Sequence, residues 1–514
     1  MMGILRTILF AATGLAATGA AFAQQTDSAS LFRTQREHAS PVTALAATAY
    51  ATPALRSEAF AGSLSEISVG YEMRREEKAL EQQKGDGGDF GRFSAGSYKH
   101  ISGKGTVWGD AGYLRGAKRN VVWNASSDYD LVFPYVVADS IGGDLTSEEY
   151  TFGGGYGHRS GRYTWALEAG ARALHEYRDS DPRIRNVAID IDAGAGASVR
   201  MGNYRLGLSA ALRVYKQSGS QIQYAHSAGE KGVYHLSGLG SHYAGFEGNA
   251  NSQTRYRGSG YGLTLALVPD AGRGGLHLAA GYEYLHIEKE LPGSADLVLQ
   301  KVVPRSFHAE AAWLRGSGNG LRWGVALKAR YDYRRGDEGI VDDNNSSQGS
   351  GTLGFLTLFE YSALQGRAEA VFGVEAAGHA WYVCPWGEYR RRTSDYLYPA
   401  QNMEFTRAGG GVDFRCVLQR RSLLLRLEAG GGYTAGLDSG LTLPVADLAA
   451  PLVRMVQYDY GRLRQDAATF RLGLRADYAL RRRMSLFLAA DYGGGLYGDN
   501  TAAHHARVAC GIAF

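Results

Sequence analysis

The chain has 514 residues, of which 70 are Gly and 32 are Tyr, with 11 Pro and only 3 Cys. Glycine is about twice as frequent as usual, but a hydrophobic fraction of 45% is too high for a disordered or collagen-like chain. With 55 Lys and Arg against 51 Asp and Glu, the net charge of +4 lacks the basic excess of nucleic-acid-binding proteins, and three Cys cannot build a disulfide framework. We therefore expect a folded chain with no nucleic-acid partner.

Residues 1–23 have the pattern of a secretory signal peptide. Arg6 supplies the positive charge, residues 8–20 form a modest apolar stretch, and residues 21–23 (Ala-Phe-Ala) give a small-x-small cleavage pattern. The alternative is an uncleaved membrane anchor, but the apolar stretch is shorter than the roughly 20 residues that a spanning helix needs. We predict an exported protein whose mature chain begins at Gln24.

Residues 24–63 are rich in Ala, Ser and Thr, and Pro41 and Pro53 interrupt any long helix. This N-terminal segment is predicted either to fold inward as a small plug or to remain in the periplasm as a tether. The composition does not favour one alternative over the other.

From residue 64 onward, apolar side chains alternate with small or charged ones over segments of 11 to 18 residues. In residues 321–333, one face carries Leu, Trp, Val and Tyr, whereas the other carries Arg, Lys, Asp, Gly and Ala. Residues 163–177 and 470–480 show the same division. A period of two residues indicates strands with two different faces.

These strands are longer than those of an ordinary β-sandwich. An apolar face that ends in aromatic residues, opposite a small or charged face, is typical of a transmembrane β-barrel. We therefore predict that residues 64–514 form an all-β, antiparallel up-and-down barrel in the cell outer membrane, in contact with outer-membrane lipid and lipopolysaccharide. A secreted β-sandwich or β-helix is the alternative.

The last residues add a second indication of this class. Val508, Cys510, Ile512 and Phe514 alternate with other residues, and the sequence ends on the aromatic Phe514. This ending resembles the terminal β-signal of outer-membrane barrels, which implies recognition of Phe514 by the barrel-insertion machinery.

Short connections predict the number of strands. Eight tight turns would join sixteen strands, and one further strand at each end gives eighteen, with short periplasmic turns and long extracellular loops. Fourteen or sixteen strands are the alternatives, because a hairpin within 229–247 would change the count. The predicted turns lie near 101–104, 160–161, 201–203, 269–274, 317–320, 364–366, 419–421 and 481–484. The predicted loops lie at 76–87, 116–149, 178–186, 218–253, 291–300, 336–350, 384–400, 437–465 and 499–503.

The alternation also predicts which charged side chains line the lumen. Both signs are abundant, so two readings remain open: a polar channel whose charges select solutes, or a closed lumen braced by salt bridges. The candidates are Glu168, Arg172, Asp190, Asp192, Arg205, Arg213, Arg322, Lys328, Arg330, Asp332, Glu369, Glu375, Arg426, Glu428, Arg471, Arg475 and Asp477.

The loop at 116–149 is the most unusual of the predicted loops, because it carries aromatic residues and six carboxylates within 22 residues. Oxygen ligands at loosely defined spacing suit a hard cation such as Ca²⁺, so a ligand-binding or metal-stabilised loop is one interpretation. The other is an ordered loop packed on the barrel mouth, and we predict no specific metal site. The candidate ligand-binding residues are Trp123, Asp128, Asp130, Tyr135, Asp139 and Asp144.

Motifs of soluble enzymes and cofactor sites give no support for catalysis, so we expect neither an enzyme nor a cofactor. A hydrolase at the barrel rim would need no strong local motif. His226, His235 and His242, together with Asp179 and Asp181, are the residues that could imitate one.

Several blocks resemble a Bacteroidetes outer-membrane β-barrel family of unknown function. They include VWGDAGY at 107–113, the run at 123–144, EEYTFGGGY at 148–156, YRDSDPR at 177–183 and VYHLSGLG at 233–240. The resemblance extends from about residue 30 to the end. It implies the fold and the location, with no catalytic residues, and it suggests work beside an outer-membrane uptake complex.

The sequence therefore predicts an outer-membrane channel or a substrate-binding component of transport. The alternatives are a plugged scaffold that assists another uptake complex, and a rim hydrolase.

Overall fold

The computed structural model of the chain describes nine stretches of residues, and the predicted signal peptide at 1–23 lies outside them. The described stretches are 28–223, 233–243, 253–270, 274–292, 297–316, 319–341, 352–444, 450–481 and 483–514.

Long antiparallel strands dominate the described residues. In chain order they are β1 (Leu64–Glu76), β2 (Gly87–His100), β3 (Gly105–Val121), β4 (Val137–Asp139), β5 (Gly143–Ser160), β6 (Tyr163–Tyr177), β7 (Arg183–Met201), β8 (Tyr204–Gln223), β9 (Val233–Gly238), β10 (Ser241–His242), β11 (Thr254–Pro269), β12 (Gly275–Leu291), β13 (Leu297–Arg315), β14 (Gly320–Val341), β15 (Thr352–Glu375), β16 (His379–Tyr396), β17 (Gln401–Arg420), β18 (Leu423–Thr442), β19 (Ala467–Arg481), β20 (Met484–Tyr497) and β21 (Ala502–Ala513).

Eighteen of these strands form one closed antiparallel sheet, and β4, β9 and β10 form a separate small one. Each barrel strand pairs with the next barrel strand along the chain, and the ring closes where β1 pairs with β21. The Ser65 N–H donates to the Phe514 carbonyl at 2.8 Å, and the Phe514 N–H donates to the Ser65 carbonyl at 2.9 Å. Closure leaves no open sheet edge, as a lipid environment requires. The predicted eighteen-stranded up-and-down barrel is confirmed.

The helices are short. They are α1 (Ser28–His38), α2 (Pro41–Ala44), α3 (Ala47–Tyr50), α4 (Pro53–Arg56), α5 (Tyr129–Val132) and α6 (Pro451–Leu463), with a 3-10 turn at Gln82–Lys84. None of the helices in the described stretches is long and apolar enough to span a bilayer.

The two faces of the barrel wall differ as the alternation predicts. On β8, Leu208, Leu212 and Val214 point outward and are 58%, 69% and 58% exposed. Between them, Arg213 points inward and pairs with Asp190 on β7. An apolar exterior around a polar interior is the inverse of a water-soluble protein and fits a barrel surrounded by lipid.

One predicted turn is wrong, although the other seven coincide with strand connections to within about two residues. Residues 364–366 continue β15, and the chain turns instead at 376–378. Gly366 lies within the ladder, opposite Ala329 of β14 and Tyr389 of β16. As a result β16 extends to Tyr396, and the loop predicted at 384–400 shortens to 397–400.

The hairpin predicted within 229–247 exists in part as β9 and β10, and the remainder of that range lies outside the described residues. It does not change the strand count, because β9 pairs with β4 and β10 rather than with the barrel. This small sheet lies inside the barrel mouth, where it contributes to the site described next.

Candidate functional site

The segment 28–63, here called the N-terminal plug, folds into the end of the barrel that carries the short turns. Phe32, Leu45 and Leu55 are almost completely buried against the inner wall. Inward-facing glycines make room for them: a Cβ atom at Gly207 would lie 2.8 Å from Leu55, and one at Gly324 would lie 2.8 Å from Leu45. The plug therefore seats its apolar side chains in depressions of the wall.

A few polar contacts fix the N-terminal plug to the wall. The side-chain amide of Gln35 donates to Asp477 at 3.1 Å and to Ser485 at 3.0 Å. Glu58 pairs with Arg205 at 3.0 Å and accepts a hydrogen bond from Thr164 at 2.7 Å. These anchors lie on strands on different sides of the barrel, so the plug is held across the whole opening.

The opposite end is closed by the extracellular plug, which consists of the connection 122–142, the hairpin 233–243 and α6. Its apolar core joins buried loop residues to inward-facing residues of the wall. Phe359 of β15 is fully buried, and its ring meets that of Phe133 edge-on at 5.5 Å. The long loops of this barrel thus fold inward and pack as a small hydrophobic domain.

Charged groups are buried in the extracellular plug as pairs. Asp139 and Arg178 are both completely buried and 3.2 Å apart. The Asp139 carboxylate also accepts the backbone N–H groups of Ile141 and Gly142, so its charge is well compensated. Glu176 accepts a hydrogen bond from Ser127 and pairs with Lys118 at 2.5 Å.

Helix α6 ties the last long loop to the first one. Arg462 pairs with Asp499 at 2.9 Å and donates to the Lys78 carbonyl at 3.1 Å. Asp459 accepts hydrogen bonds from the Gln83 side chain at 2.8 Å and from the Gln82 N–H at 3.2 Å. Burial raises the pKa of Asp459 to about 7, although both hydrogen bonds oppose that shift.

The two plugs leave a chamber between them. On β8, Gly207 touches the N-terminal plug, and the hydroxyl of Tyr215 donates to Asp128 of the extracellular plug at 3.0 Å. Eight residues of strand span about 27 Å, or about 20 Å along the axis of a barrel with strands tilted near 40°. The stretch of wall between these two contacts is therefore about 20 Å long, slightly shorter than the apolar band of about 25 Å.

A cavity of about 460 Å³ lies in this chamber, beneath the extracellular plug. Its volume is in the range of small-molecule sites, which are about 300–1,000 Å³. Aromatic and charged side chains of both the plug and the wall line it. The principal lining residues are Tyr129, Asp130, Phe133, Asp192, Arg213, Glu283, Arg330, Asp332, Arg334, Tyr361 and Arg392.

Arg334 and Arg392 flank one aromatic ring in this cavity. Their guanidinium groups lie 5.8 and 5.5 Å from the centre of the Tyr361 ring, which is within cation–π range. Arg334 donates to the carbonyls of Phe133 and Asp130 at 2.5 and 2.8 Å and thereby attaches the plug to the wall. The arrangement provides stacking surfaces and hydrogen-bond donors suited to a polar ligand of small-molecule size.

The structure places the predicted lumen residues on the inner face, where most form ion pairs within their own strand, with another strand or with a plug. Arg322 pairs with Glu375 at 2.9 Å and Lys328 with Glu369 at 2.7 Å. The further pairs are Arg172–Asp128, Arg205–Glu58, Arg213–Asp190, Arg330–Asp332, Glu428–Arg415, Arg471–Asp413, Arg475–Glu66 and Arg475–Asp477. Glu168 packs beside Gly194, Asp192 lines the cavity, and Arg426 lies opposite Arg475 in the ladder.

The six loop candidates do not come together as one site, because the loop uses them for its own packing. Trp123 and Tyr135 are buried in the apolar core, Asp128 pairs with Arg172, and Asp139 pairs with Arg178. Asp130 reaches the cavity and pairs with Lys84 at 2.8 Å. Asp144 is exposed at the rim and accepts the Asn120 N–H at 3.0 Å. Within the described stretches, no three His, Cys, Asp or Glu side chains are grouped as metal ligands.

Two rim residues of the hydrolase alternative, His235 and His242, lie on the paired strands β9 and β10. His235 is completely buried in the extracellular plug, where burial lowers its pKa well below the ordinary value. Asp181 pairs with Arg183 at 3.1 Å. His226 lies outside the described residues.

Sequence reasoning missed the residues that attach the plugs. Arg334 and Tyr361 lie near predicted strand ends, and Arg392 lies within the loop predicted at 384–400. Nothing in their local pattern distinguishes them from other rim residues. Gln35 and Glu58 belong to the N-terminal segment, for which the sequence allows both an inward plug and a periplasmic tether. Only the inward-facing glycines of the wall, such as Gly207 and Gly324, were visible signals that something packs closely there.

Fold and site together define an outer-membrane β-barrel with packed segments inside each end of its lumen and a polar cavity beneath the extracellular plug. The chain belongs to the family described as "Family of unknown function (DUF6850)", whose model matches residues 53–514. The predicted membership of an uncharacterised family is thus confirmed. A comparison with curated proteins finds no significant match.

Solved outer-membrane receptors share the general architecture at a distance. The ferric preacinetobactin receptor BauA from Acinetobacter baumannii is 9% identical with a TM-score of 0.38, covering 88% of this chain and 79% of that chain. The unliganded ferric citrate transporter FecA is 9% identical with a TM-score of 0.37, covering 88% and 78%. The siderophore receptor PiuA from Acinetobacter baumannii is 8% identical with a TM-score of 0.38, covering 88% and 82%. No inference about ligand or activity rests on these similarities.

Proposed function

We propose that this protein is a gated, ligand-binding component of outer-membrane transport with no catalytic activity. The observation that carries the proposal is the 460 Å³ cavity inside the lumen, lined by aromatic rings and by charges of both signs. A barrel used only as a scaffold needs no such space. The chamber would hold a polar solute between two closures that open at different times.

A permanently open channel does not fit this geometry, because each end of the lumen is filled by packed side chains. Transport therefore requires that at least one plug move. The N-terminal plug is the better candidate, since it is one continuous segment joined to the barrel only through β1. The extracellular plug combines three separate connections and would have to be dismantled.

Planar-bilayer recordings in KCl test the gating part of the proposal. The full chain is expected to conduct little. A variant that lacks residues 28–60 is expected to conduct more, and one that also lacks 451–463 should conduct at least about tenfold more than the full chain, because a lumen of this width can hold an aqueous path. A doubly shortened barrel that folds, as shown by heat-modifiable migration on gels, yet remains silent would contradict the proposal.

The reversal potential of the doubly shortened barrel in a KCl gradient tests the role of the cavity. Arg334→Met removes a cation from the cavity wall and should shift the selectivity toward K⁺. Arg335→Met on the same strand is the matched control, because Arg335 pairs with Asp337 and does not line the cavity. Equal shifts in the two variants would count against a selective chamber.

A second candidate function is a plugged accessory barrel that partners an outer-membrane uptake complex. The specific observation in its favour is the dense bracing of the lumen by ion pairs such as Arg322–Glu375 and Lys328–Glu369. Purification from native outer membranes under mild detergent tests it. A stoichiometric partner supports the accessory role, whereas a lone barrel with solute flux supports the transport role.

We also propose that the protein originates from Bacteroidetes, contacts lipopolysaccharide, and presents Phe514 for recognition by the barrel-insertion machinery. Assembly of a Phe514→Ala variant at the normal rate in cells would contradict the proposed recognition of Phe514.

A further inference from the structure

Two cations lie side by side on the outward face at the extracellular end of the wall. Lys216 of β8 and Arg257 of β11 lie directly opposite each other in the ladder. Opposed residues on one sheet face have Cβ atoms about 4.5–5.5 Å apart, and like charges at that distance destabilise the pair. A site that keeps two such cations together is suited to an anion that both can bind.

Other cations on the outer rim have carboxylate partners nearby. Arg75 and Arg119 share Asp89 at 2.6 Å each, and Lys301 pairs with Glu288 at 3.0 Å. Within the described residues, Lys216 has no ion pair. Arg257 contacts Glu290 at 3.5 Å, which Arg255 also contacts at 3.4 Å. Arg257 also lies opposite Glu288 of β12, which pairs with Lys301, so each carboxylate beside Arg257 is shared with another cation.

The height of Lys216 on the wall matches that of a lipid headgroup. Below it on the outer face of β8 are Tyr204, Leu206, Leu208, Ala210, Leu212 and Val214. From Tyr204 to Val214 the strand covers about 34 Å, or about 26 Å along the barrel axis at a tilt near 40°. That height equals the apolar band of outer-membrane barrels, about 25 Å. Lys216 is the first polar side chain above this band.

Apolar side chains continue directly from the two cations into the lipid region. Ile189 of β7 lies opposite Lys216 on its other side and is 43% exposed. Leu212 is 69% exposed, and it lies opposite Tyr261 of β11, which is also exposed on the outer face. The surface therefore has cations at headgroup height directly above apolar side chains. It is complementary to a lipid in which a phosphate is joined to acyl chains.

We propose that Lys216 and Arg257 form a binding site for the phosphate group of a phosphorylated glycolipid in the outer leaflet, with Ile189, Leu212 and Val214 contacting its acyl chains. The lipid phosphate removes the repulsion between the two cations. This proposal does not depend on transport, because the site lies on the outside of the barrel.

Lipid retention measured by native mass spectrometry tests this site. The full chain, purified in mild detergent, is titrated with lipopolysaccharide lipid A and separately with its dephosphorylated form. The double variant K216Q/R257Q should bind lipid A at least about tenfold more weakly, because it loses two charge-assisted contacts. The control R75Q removes a rim arginine that is closely paired, with Asp89 at 2.6 Å, and should bind as the unaltered chain does.

Three outcomes would overturn the proposal. They are equal lipid A binding by K216Q/R257Q and the unaltered chain, equal binding of the dephosphorylated lipid, and full competition by inorganic phosphate at low millimolar concentration. Heat-modifiable migration verifies that each variant is folded, and bilayer conductance is recorded in parallel. A loss of lipid binding with unchanged conductance separates this site from the proposed transport function.

Discussion

The two plugs close the same lumen in different ways. The N-terminal plug is one continuous segment of short helices that inserts Phe32, Leu45 and Leu55 into the wall and adds a few polar anchors. The extracellular plug interlocks three connections that are far apart in sequence and buries whole ion pairs, with Asp139–Arg178 at its centre.

This difference indicates how each plug can move. A continuous segment can leave as a unit after losing a limited set of contacts, and the barrel ladder stays intact. An interlocked plug has to expose charges that are uncompensated once separated, which is expensive in free energy. We therefore expect the N-terminal plug to open more readily, and the following predictions test that order.

The largest effect is expected from Arg178→Met. This substitution leaves the fully buried Asp139 without its cation, which should destabilise the extracellular plug by about 3–5 kcal/mol. Limited proteolysis of residues 122–142 in the folded barrel measures the effect. Arg183→Met is the control, because its pair with Asp181 is exposed and worth at most about 1 kcal/mol. Unchanged protection in Arg178→Met would show that the two plugs do not differ in this way.

Leu55→Ala should loosen the N-terminal plug by about 2–5 kcal/mol, because Leu55 is fully buried and the rigid wall at Gly207 cannot fill the space it leaves. Hydrogen exchange should rise in residues 41–60 and remain unchanged in 122–142. Leu397→Ala, at an exposed position, is the control and should change neither segment. If exchange rose equally in both plugs, they would behave as one cooperative unit.

The docking of α6 should depend on pH through Asp459. Because burial raises its pKa from 3.8 to about 7, the folded plug binds a proton that the undocked helix releases. Stability therefore falls as the pH rises from about 4 to about 7, by roughly 3 kcal/mol. Hydrogen exchange of residues 451–463, corrected for intrinsic rates, should show stronger protection at pH 5 than at pH 8.

Asp459→Asn should abolish that dependence, because the amide carries no charge at either pH. Asp499→Asn is the matched control: the pKa of Asp499 is lowered, first by its hydrogen bond from Thr501, so it does not titrate between pH 5 and 8. A pH dependence that persists in Asp459→Asn would assign it to another group.

The smallest effect is expected from Gln35→Ala, which removes the hydrogen bonds to Asp477 and Ser485. Two hydrogen bonds, one of them to a carboxylate, together contribute about 2 kcal/mol. Exchange in residues 28–38 should increase slightly, with no change in conductance. A large increase in conductance would mean that the N-terminal plug depends on this anchor far more than its apolar contacts indicate.

Much of the barrel could be predicted from the sequence, because each strand repeats a local pattern whose two faces meet different solvents. Residues 321–333 alternate along β14 as expected, and the arginines of that face point into the lumen. The error at 364–366 arose because a glycine in a strand and a glycine in a turn have the same local appearance. Only the partners of Gly366 in the ladder distinguish them.

The site was much less predictable. The carboxylates of residues 116–149 suggested ligand binding, yet the structure assigns most of them to partners distant in sequence: Asp128 to Arg172, and Asp139 to Arg178. The cavity depends on Arg334 and Arg392 meeting around Tyr361, which are contributed by three different strands.

The sequence by itself thus determined the membrane barrel and the division between its faces, because alternation is a local property that lipid and water impose on every strand. The tertiary structure alone decided that both ends are plugged and that a chamber lies between them. Those features depend on which loop side chains meet which parts of the wall, and contacts between residues so far apart in the chain leave no local pattern.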